Sequence, residues 1–105
     1  MGNVIKVTDS NIGEIIKTNK ITIVCFHAIW CGPCRILTPT IEELARDNSD
    51  VVVGKVNVDD SGAIASEYGI RGIPALIFFK EGEIIDRVVG VKSKSELQGK
   101  IDSLK

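Results

Sequence analysis

The sequence lacks the features of membrane, nucleic-acid and nucleotide-binding proteins. Its apolar runs are a handful of residues long, far short of a membrane span, and its first twenty residues show no apolar core of a signal peptide. Its 13 basic and 14 acidic residues nearly cancel, so no charge excess favours nucleic acid or an anionic membrane. No Gly-rich dinucleotide fingerprint and no phosphate loop occurs. We therefore expect no membrane, no nucleic-acid partner and no cofactor of the chain's own.

Cysteine is scarce, with three residues in the chain. An odd number does not suit the paired disulfide framework of a small secreted protein. Together with the missing signal peptide, this count predicts a protein of the reducing cytoplasm.

Length and composition indicate one folded domain over residues 1–105. A chain of 105 residues with 44% apolar and 26% charged residues can bury a core without additional cross-links. Residue patterns predict strands at 3–7, 21–27, 51–58, 75–80 and 84–89, with Gly54 and Lys55 interrupting the third. Helices are predicted after residue 10 and after residue 93, and over 32–48 and 61–68. This order predicts an α/β protein, in which a mixed sheet carries helices on both faces.

Two helix starts carry recognisable caps. Asp9 or Ser10 is positioned to cap the first helix, whose isoleucines share one face. Ser93 and Glu96 have the spacing of a capping box at the start of the last helix.

Residues 30–34, Trp-Cys-Gly-Pro-Cys, place two thiols between a strand and a helix. The preceding run, 21–26, is apolar and rich in β-branched residues, as in a buried strand. After the motif, Leu37, Ile41 and Leu44 recur with the spacing of an amphipathic helix. The two thiols are therefore predicted at the N-terminus of that helix.

This position favours thiol–disulfide chemistry. Unpaired N–H groups and the helix dipole stabilise a thiolate, which is the nucleophilic form, so Cys31 is predicted to be the exposed, activated sulfur. Cys34 lies one turn further, within reach of Cys31, and is predicted to resolve a mixed disulfide. Gly32 removes side-chain bulk beside the nucleophile, and Pro33 suits the first helical turn.

The motif and its surroundings resemble the thioredoxin family over nearly the whole chain. The resemblance includes Pro39 within the helix, the segment 68–74 (Tyr-Gly-Ile-Arg-Gly-Ile-Pro), the strand 75–80 with the Glu-Gly turn after it, and the Val-Gly pair at 89–90. It implies the thioredoxin fold, with a central mixed sheet of about five strands, the second of them in the middle, flanked by about four helices. It also implies a general reductant of protein disulfides, which is returned to the dithiol by a separate NADPH- or ferredoxin-dependent reductase and acts as a monomer.

The resemblance further implies a docking surface around the dithiol. It makes Pro74 a cis-proline packed against the two cysteines, and it makes Ile73 present its backbone to an extended substrate segment. Trp30 would supply an apolar contact, and Gly90 would leave room on the same face. Gly32 and Pro33 complete this predicted surface.

Cys25 and His27 depart from the family pattern. Cys25 stands where thioredoxins usually have a buried aspartate that moves protons for the resolving thiol. Lys55 matches the lysine beside that aspartate, so a buried ammonium would lack its counter-ion and would lower its pKa or turn to water. We interpret Cys25 as a small core residue and expect proton transfer at Cys34 to use water or another group. His27 replaces a common aromatic residue, and as an imidazolium it would stabilise the Cys31 thiolate.

Two other functions remain open at this stage. The first is a zinc module of the Cys3His type, because four donors lie within ten residues: Cys25, His27, Cys31 and Cys34. The second is a non-catalytic subunit that binds proteins through the docking surface without turnover.

Overall fold

A computed structural model describes residues 3–105. Its strands and helices are β1 (Val4–Lys6), α1 (Ile12–Ile15), β2 (Thr22–His27), α2 (Gly32–Asp47), β3 (Val52–Asn57), α3 (Gly62–Glu67), β4 (Ala75–Lys80), β5 (Glu83–Val89) and α4 (Lys94–Leu104). The strands form one five-stranded mixed sheet in the order β1-β3-β2-β4-β5. The predicted element order, the mixed sheet and the central place of the second strand are confirmed.

The central strand β2 has neighbours on both edges and helices over both faces. It pairs in parallel with β3 and antiparallel with β4. Its residues 22–26 are all buried, and all except Thr22 are apolar, so the strand does not alternate between apolar and polar faces. This arrangement fixes the end of β2, and with it the start of the segment that carries the thiols.

Alternate side chains of β2 enter two separate cores. Ile23 and Cys25 pack into the core formed with α2 and α4, whereas Val24 and Phe26 pack into the core formed with α1 and α3. Each fully buried aliphatic or aromatic side chain stabilises the fold by about 1.5–3 kcal/mol. All four helices therefore pack against cores to which the same central strand contributes.

Strand β3 is continuous through Gly54 and Lys55, so the predicted interruption is wrong. The glycine is there because the chain after β1 approaches closely. A Cβ at Gly54 would lie 2.4 Å from Val7 Cγ2 and 3.3 Å from the Ile5 carbonyl oxygen. Gly54 thus allows tight packing and leaves Lys55 in register with Cys25 of β2.

The cap predicted for the first helix is also different. The N-cap of α1 is Asn11, whose side-chain oxygen accepts from the Thr8 backbone N–H at 2.7 Å. Asp9 instead accepts from the Ile64 N–H of α3 at 3.0 Å. At the other end of the chain, Ser93 accepts from the Glu96 N–H at 3.2 Å, as predicted.

A pair of amides joins the C-terminus of α2 to α4. Buried Asn48 donates to the Gln98 side-chain oxygen at 2.7 Å and to the Leu44 carbonyl at 2.9 Å. Gln98 donates back to the Asn48 side-chain oxygen at 2.8 Å. This reciprocal contact fixes α4 against the helix that carries the thiols.

We expect the Asn48→Ala variant to be less stable than the parent by about 1–3 kcal/mol, because it removes the three side-chain bonds to Leu44 and Gln98, although the Leu44 carbonyl keeps its bond from the backbone N–H of residue 48. The free energy of unfolding from urea titration measures the loss. Asn19→Ala, at an exposed turn residue, is the matched control and should change stability by less than about 0.5 kcal/mol. Equal losses in the two variants would contradict the assigned role of the amide pair.

Candidate active site

The two thiols of the Trp-Cys-Gly-Pro-Cys motif lie at the junction of β2 and α2. Cys31 is the N-cap of α2, with extended backbone angles, and its N–H donates to the Ala28 carbonyl at 3.2 Å. Cys34 lies in the first turn, and Pro33 takes one of the first helical positions. A disulfide joins Cys31 to Cys34, with their Cα atoms 5.3 Å apart.

A sulfur atom caps this helix. The Cys34 backbone N–H donates to Cys31 Sγ at 3.2 Å, the contact that a serine or aspartate oxygen usually makes at an N-cap. The same N–H and the positive end of the helix dipole favour negative charge on that sulfur once the disulfide is reduced. The geometry thus favours Cys31 as the thiolate of the pair.

Both cysteines are nearly covered in this oxidised state. Cys31 is 5% exposed and Cys34 is 4% exposed, and they form a small cluster with Ala28 against which Val58 and Ile73 pack. The prediction of an exposed Cys31 is therefore wrong for the disulfide form. The cause is the loop before β4, whose Ile73 carbonyl oxygen lies 3.8 Å from Cys31 Sγ.

The loop before β4 brings together three of the predicted docking residues. The Ile73–Pro74 peptide bond is cis, and the Pro74 carbonyl accepts from the Gly90 N–H at 2.8 Å. Gly90 has a φ of 96°, a backbone conformation that glycine adopts without strain. Apart from its chain neighbours and the backbone of its own helix, a Cβ at Gly32 would meet no atom of residues 3–105 within 4 Å, so this position is open to a molecule that approaches from outside.

Exposed apolar side chains lie within the Trp-Cys-Gly-Pro-Cys motif and close to it in the chain. Trp30 is 68% exposed, and its Nε1–H donates to Asp59 Oδ2 at 2.9 Å, which fixes the indole at the surface. Ile29 and Ile36 are 70% and 67% exposed. Sequence reasoning missed Ile36 and Asp59: Ile36 looks like one more apolar residue of the helix pattern, and no local pattern links residue 59 to residue 30.

A groove of about 230 Å³ lies behind the disulfide. Its lining consists of His27, Ala28, Ile29, Cys34, Arg35, Thr38 and Lys55. Lys55 Nζ donates to Thr38 Oγ1 at 3.4 Å, and the Thr38 hydroxyl donates to the Cys34 carbonyl at 3.0 Å. Lys55 is half-buried rather than buried, and a neutral hydroxyl, not a counter-ion, bonds its ammonium.

Cys25 is a protonated core thiol. It is 3% exposed, and burial raises its pKa from 9.0 to about 12, although the Lys55 ammonium acts in the opposite direction. At neutral pH it therefore carries no charge and neither pairs with Lys55 nor accepts a proton. This agrees with its interpretation as a small apolar residue.

His27 lies at the end of β2, half-buried, and lines the same groove. Burial and, to a lesser extent, the positive charge of Lys55 lower its pKa below the ordinary value of 6.5. The neutral imidazole consequently predominates at pH 7, which argues against an imidazolium that stabilises the Cys31 thiolate.

The four donors of the zinc hypothesis do not converge. Among residues 3–105, no group of three His, Cys, Asp or Glu side chains is placed to hold a metal ion. Cys31 and Cys34 are bonded to each other, whereas Cys25 packs into the core under α2. Over the same residues, no helix is long and apolar enough to cross a membrane.

Comparisons with known proteins agree with this site. The family model for thioredoxin matches residues 3–103. A thioredoxin of Chlamydia caviae is 47% identical over 91 residues, which cover 87% of this chain and 88% of that protein. The structure of a Malassezia sympodialis thioredoxin superposes with a TM-score of 0.89 at 35% identity, covering 98% of this chain and 91% of that one. A mutant thioredoxin from Halobacterium salinarum gives the same TM-score at 36% identity and covers 96% and 89%.

The family and the joined thiols settle the class of activity. Members act on disulfide-containing substrates and depend on a reductase that restores the dithiol. No observation in the structure favours a zinc module or a non-catalytic binding subunit. The chain belongs to the thioredoxin family and is a thiol–disulfide oxidoreductase that reduces protein disulfides.

Proposed function

We propose that Cys31 attacks the substrate disulfide and that Cys34 resolves the mixed disulfide. The observation that carries this assignment is the Cys34 N–H that donates to Cys31 Sγ at the N-terminus of α2. Only the sulfur at the N-cap receives this bond, and a thiolate is the attacking species in thiol–disulfide exchange. The order of the two cysteines in the reaction follows from it.

The reaction then proceeds in two exchanges. The Cys31 thiolate attacks one substrate sulfur, the substrate S–S bond breaks, and its other sulfur leaves as a thiolate that takes up a proton. Cys34 loses its proton and attacks Cys31 Sγ, and the second substrate thiol is released. Two electrons pass to the substrate, and the protein ends as the Cys31–Cys34 disulfide, which is the form described above.

The docking surface for the substrate is formed by Trp30, Ile73, Pro74 and Gly90, with Gly32 and Pro33 between the cysteines. In support, the exposed Trp30 directly precedes Cys31 in the chain, and the Ile73 carbonyl oxygen lies 3.8 Å from Cys31 Sγ. An extended substrate segment beside Ile73 would pair with its backbone, so that recognition depends little on substrate sequence. Such recognition suits a general reductant.

The remaining features of the proposal concern the cellular setting. The protein works in the cytoplasm as a monomer and a single domain, and an NADPH- or ferredoxin-dependent thioredoxin reductase restores its thiols. Three cysteines and the absence of a dinucleotide fingerprint support this setting.

We expect Cys31→Ser to reduce insulin disulfides no faster than dithiothreitol alone, because it lacks the attacking sulfur. Cys34→Ser should instead accumulate a mixed disulfide with the substrate, which mass spectrometry of acid-quenched samples detects. Cys25→Ala is the matched control and should retain turnover. Turnover by Cys31→Ser, or a trapped adduct on Cys34 in the parent, would contradict the assigned order.

We expect the buried Cys25 thiol to make stability fall at alkaline pH. The folded state keeps this proton above pH 9.0, where the unfolded chain releases it, until the pH approaches about 12. The contribution is therefore complete below pH 9.0 and is lost as the pH rises towards about 12, at up to about 1.4 kcal/mol per pH unit.

Urea unfolding of the oxidised parent and of oxidised Cys25→Ala over this alkaline range isolates the effect, because the other alkaline groups are common to both. The stability difference between the two proteins should change steadily with pH. Parallel curves would show that Cys25 titrates normally and would contradict its assignment as a buried, inert thiol.

A further inference from the structure

Two hydrogen bonds connect Lys55 to the backbone of the resolving cysteine through Thr38. An ammonium only donates, so the Thr38 hydroxyl oxygen accepts from Lys55 and its single proton is free to donate to the Cys34 carbonyl. Both bonds are satisfied at once, with no competition for the hydroxyl proton. Thr38 therefore holds the ammonium on the face of α2 that carries Cys34.

The position of the ammonium is not fixed by a counter-ion. Lys55 lies in register between Lys6 of β1 and Cys25 of β2, and neither provides negative charge. In the described part of the chain, the four ion pairs within 4.0 Å involve only other lysines, and none includes Lys55. The Thr38 hydroxyl is thus the one side chain that bonds the ammonium among residues 3–105.

The Lys55 ammonium has an alternative position near a second cavity. A second cavity, of about 430 Å³, adjoins the first along Lys55 and is lined by Glu42 of α2 and by Asp60, among others. Lys55 is long and flexible, and these carboxylates would attract it if the Thr38 hydroxyl were missing. Lys55 lines both cavities, and its bond to the Thr38 hydroxyl, which lines the groove of Cys34, favours that groove for the ammonium over the second cavity.

The positive charge acts on its neighbours within the groove. Lys55 lowers the pKa of both Cys25 and His27, the two titratable groups that face it from β2. A charge in a partly dehydrated groove acts more strongly than in bulk water. A thiolate formed on Cys34, which lines the same groove, would be stabilised in the same way.

We propose that Thr38 is a positioning residue that holds the Lys55 ammonium where it stabilises the Cys34 thiolate in the resolving step. This inference rests on the proposed function, in which Cys34 attacks second. In that step the Cys34 thiol gives its proton to water in the groove, and its sulfur bonds to Cys31 Sγ. The bond from Cys31 to the substrate breaks, and the substrate thiolate leaves. The groove, at about 230 Å³, is large enough for water.

The test separates the two exchanges by stopped flow with Ellman's reagent as the substrate. The reduced protein should release two coloured thiolates in two phases, the first from attack by Cys31 and the second from resolution by Cys34. Thr38→Val, which keeps the shape of threonine and removes the hydroxyl, should slow the second phase by about fivefold and leave the first unchanged. Thr38→Ser, which keeps the hydroxyl, should restore the parent rate.

The partner of Thr38 is tested with Lys55→Met. This variant should also slow the second phase, and the double variant Thr38→Val/Lys55→Met should be no slower than Lys55→Met alone. Additive losses would show that Thr38 acts independently of Lys55 and would overturn the proposal. So would equal slowing of both phases, which indicates a general change of structure.

An equilibrium pH titration of the Cys34 thiol completes the test. In a Cys31→Ser background, the ultraviolet absorbance of the Cys34 thiolate should develop at higher pH when Thr38 is replaced by valine, and at the parent pH with serine. An unchanged titration would overturn the proposal. A different result is expected if the proposed order of the two cysteines is wrong. Cys31→Ser would then still release the first coloured thiolate from Ellman's reagent at the parent rate.

Discussion

A sulfur atom caps the N-terminus of α2, and the rest of the structure maintains the contact between this sulfur and the helix. A backbone N–H at a helix start has no intrahelical partner, and here the Cys34 N–H meets Cys31 Sγ. The contact requires a fixed position for the end of β2. The burial of this strand between two cores provides that position. The contact also requires that α2 stay in place, which the amides of Asn48 and Gln98 ensure at the far end. The chemistry of the motif is thus a property of the whole sheet and of both cores.

The interior beneath the motif has an unusual charge balance. A buried thiol at Cys25 stays neutral, so the Lys55 ammonium has no anion beside it on β2. Such a charge is tolerated because it is only half-buried and finds an oxygen on Thr38. The same positive charge disfavours a second cation, which is one reason why the neighbouring His27 is neutral at pH 7. Lys55 and Arg35 are the two cations that line the groove behind the disulfide, and the position of the Lys55 ammonium decides what its charge can stabilise.

The sequence predicted the parts of this structure that depend on local patterns. The buried strand before the motif, the helix after it and the cap at Ser93 all rest on spacing within a few residues. The central place of β2 and the cis bond at Pro74 came from the resemblance to thioredoxins. The misses involve contacts between residues distant in the chain. Asp9 bonds α3, 55 residues away, instead of the helix that follows it, and Ile73 covers Cys31 across 42 residues. No periodicity in the sequence encodes such pairings.

The lysine at position 55 illustrates why the site was harder to predict than the fold. Sequence comparison with the family pointed to a missing partner, and from that loss alone the side chain was expected to turn to water or lose its charge. The partner lies on another element, because Thr38 is one helical turn beyond Cys34 and its hydroxyl reaches back to the carbonyl of that residue. A threonine inside a helix commonly makes this bond to the preceding turn, and doing so leaves its oxygen free to accept. The replacement for a buried carboxylate can therefore be a local helix contact, found only when β3 is placed against α2.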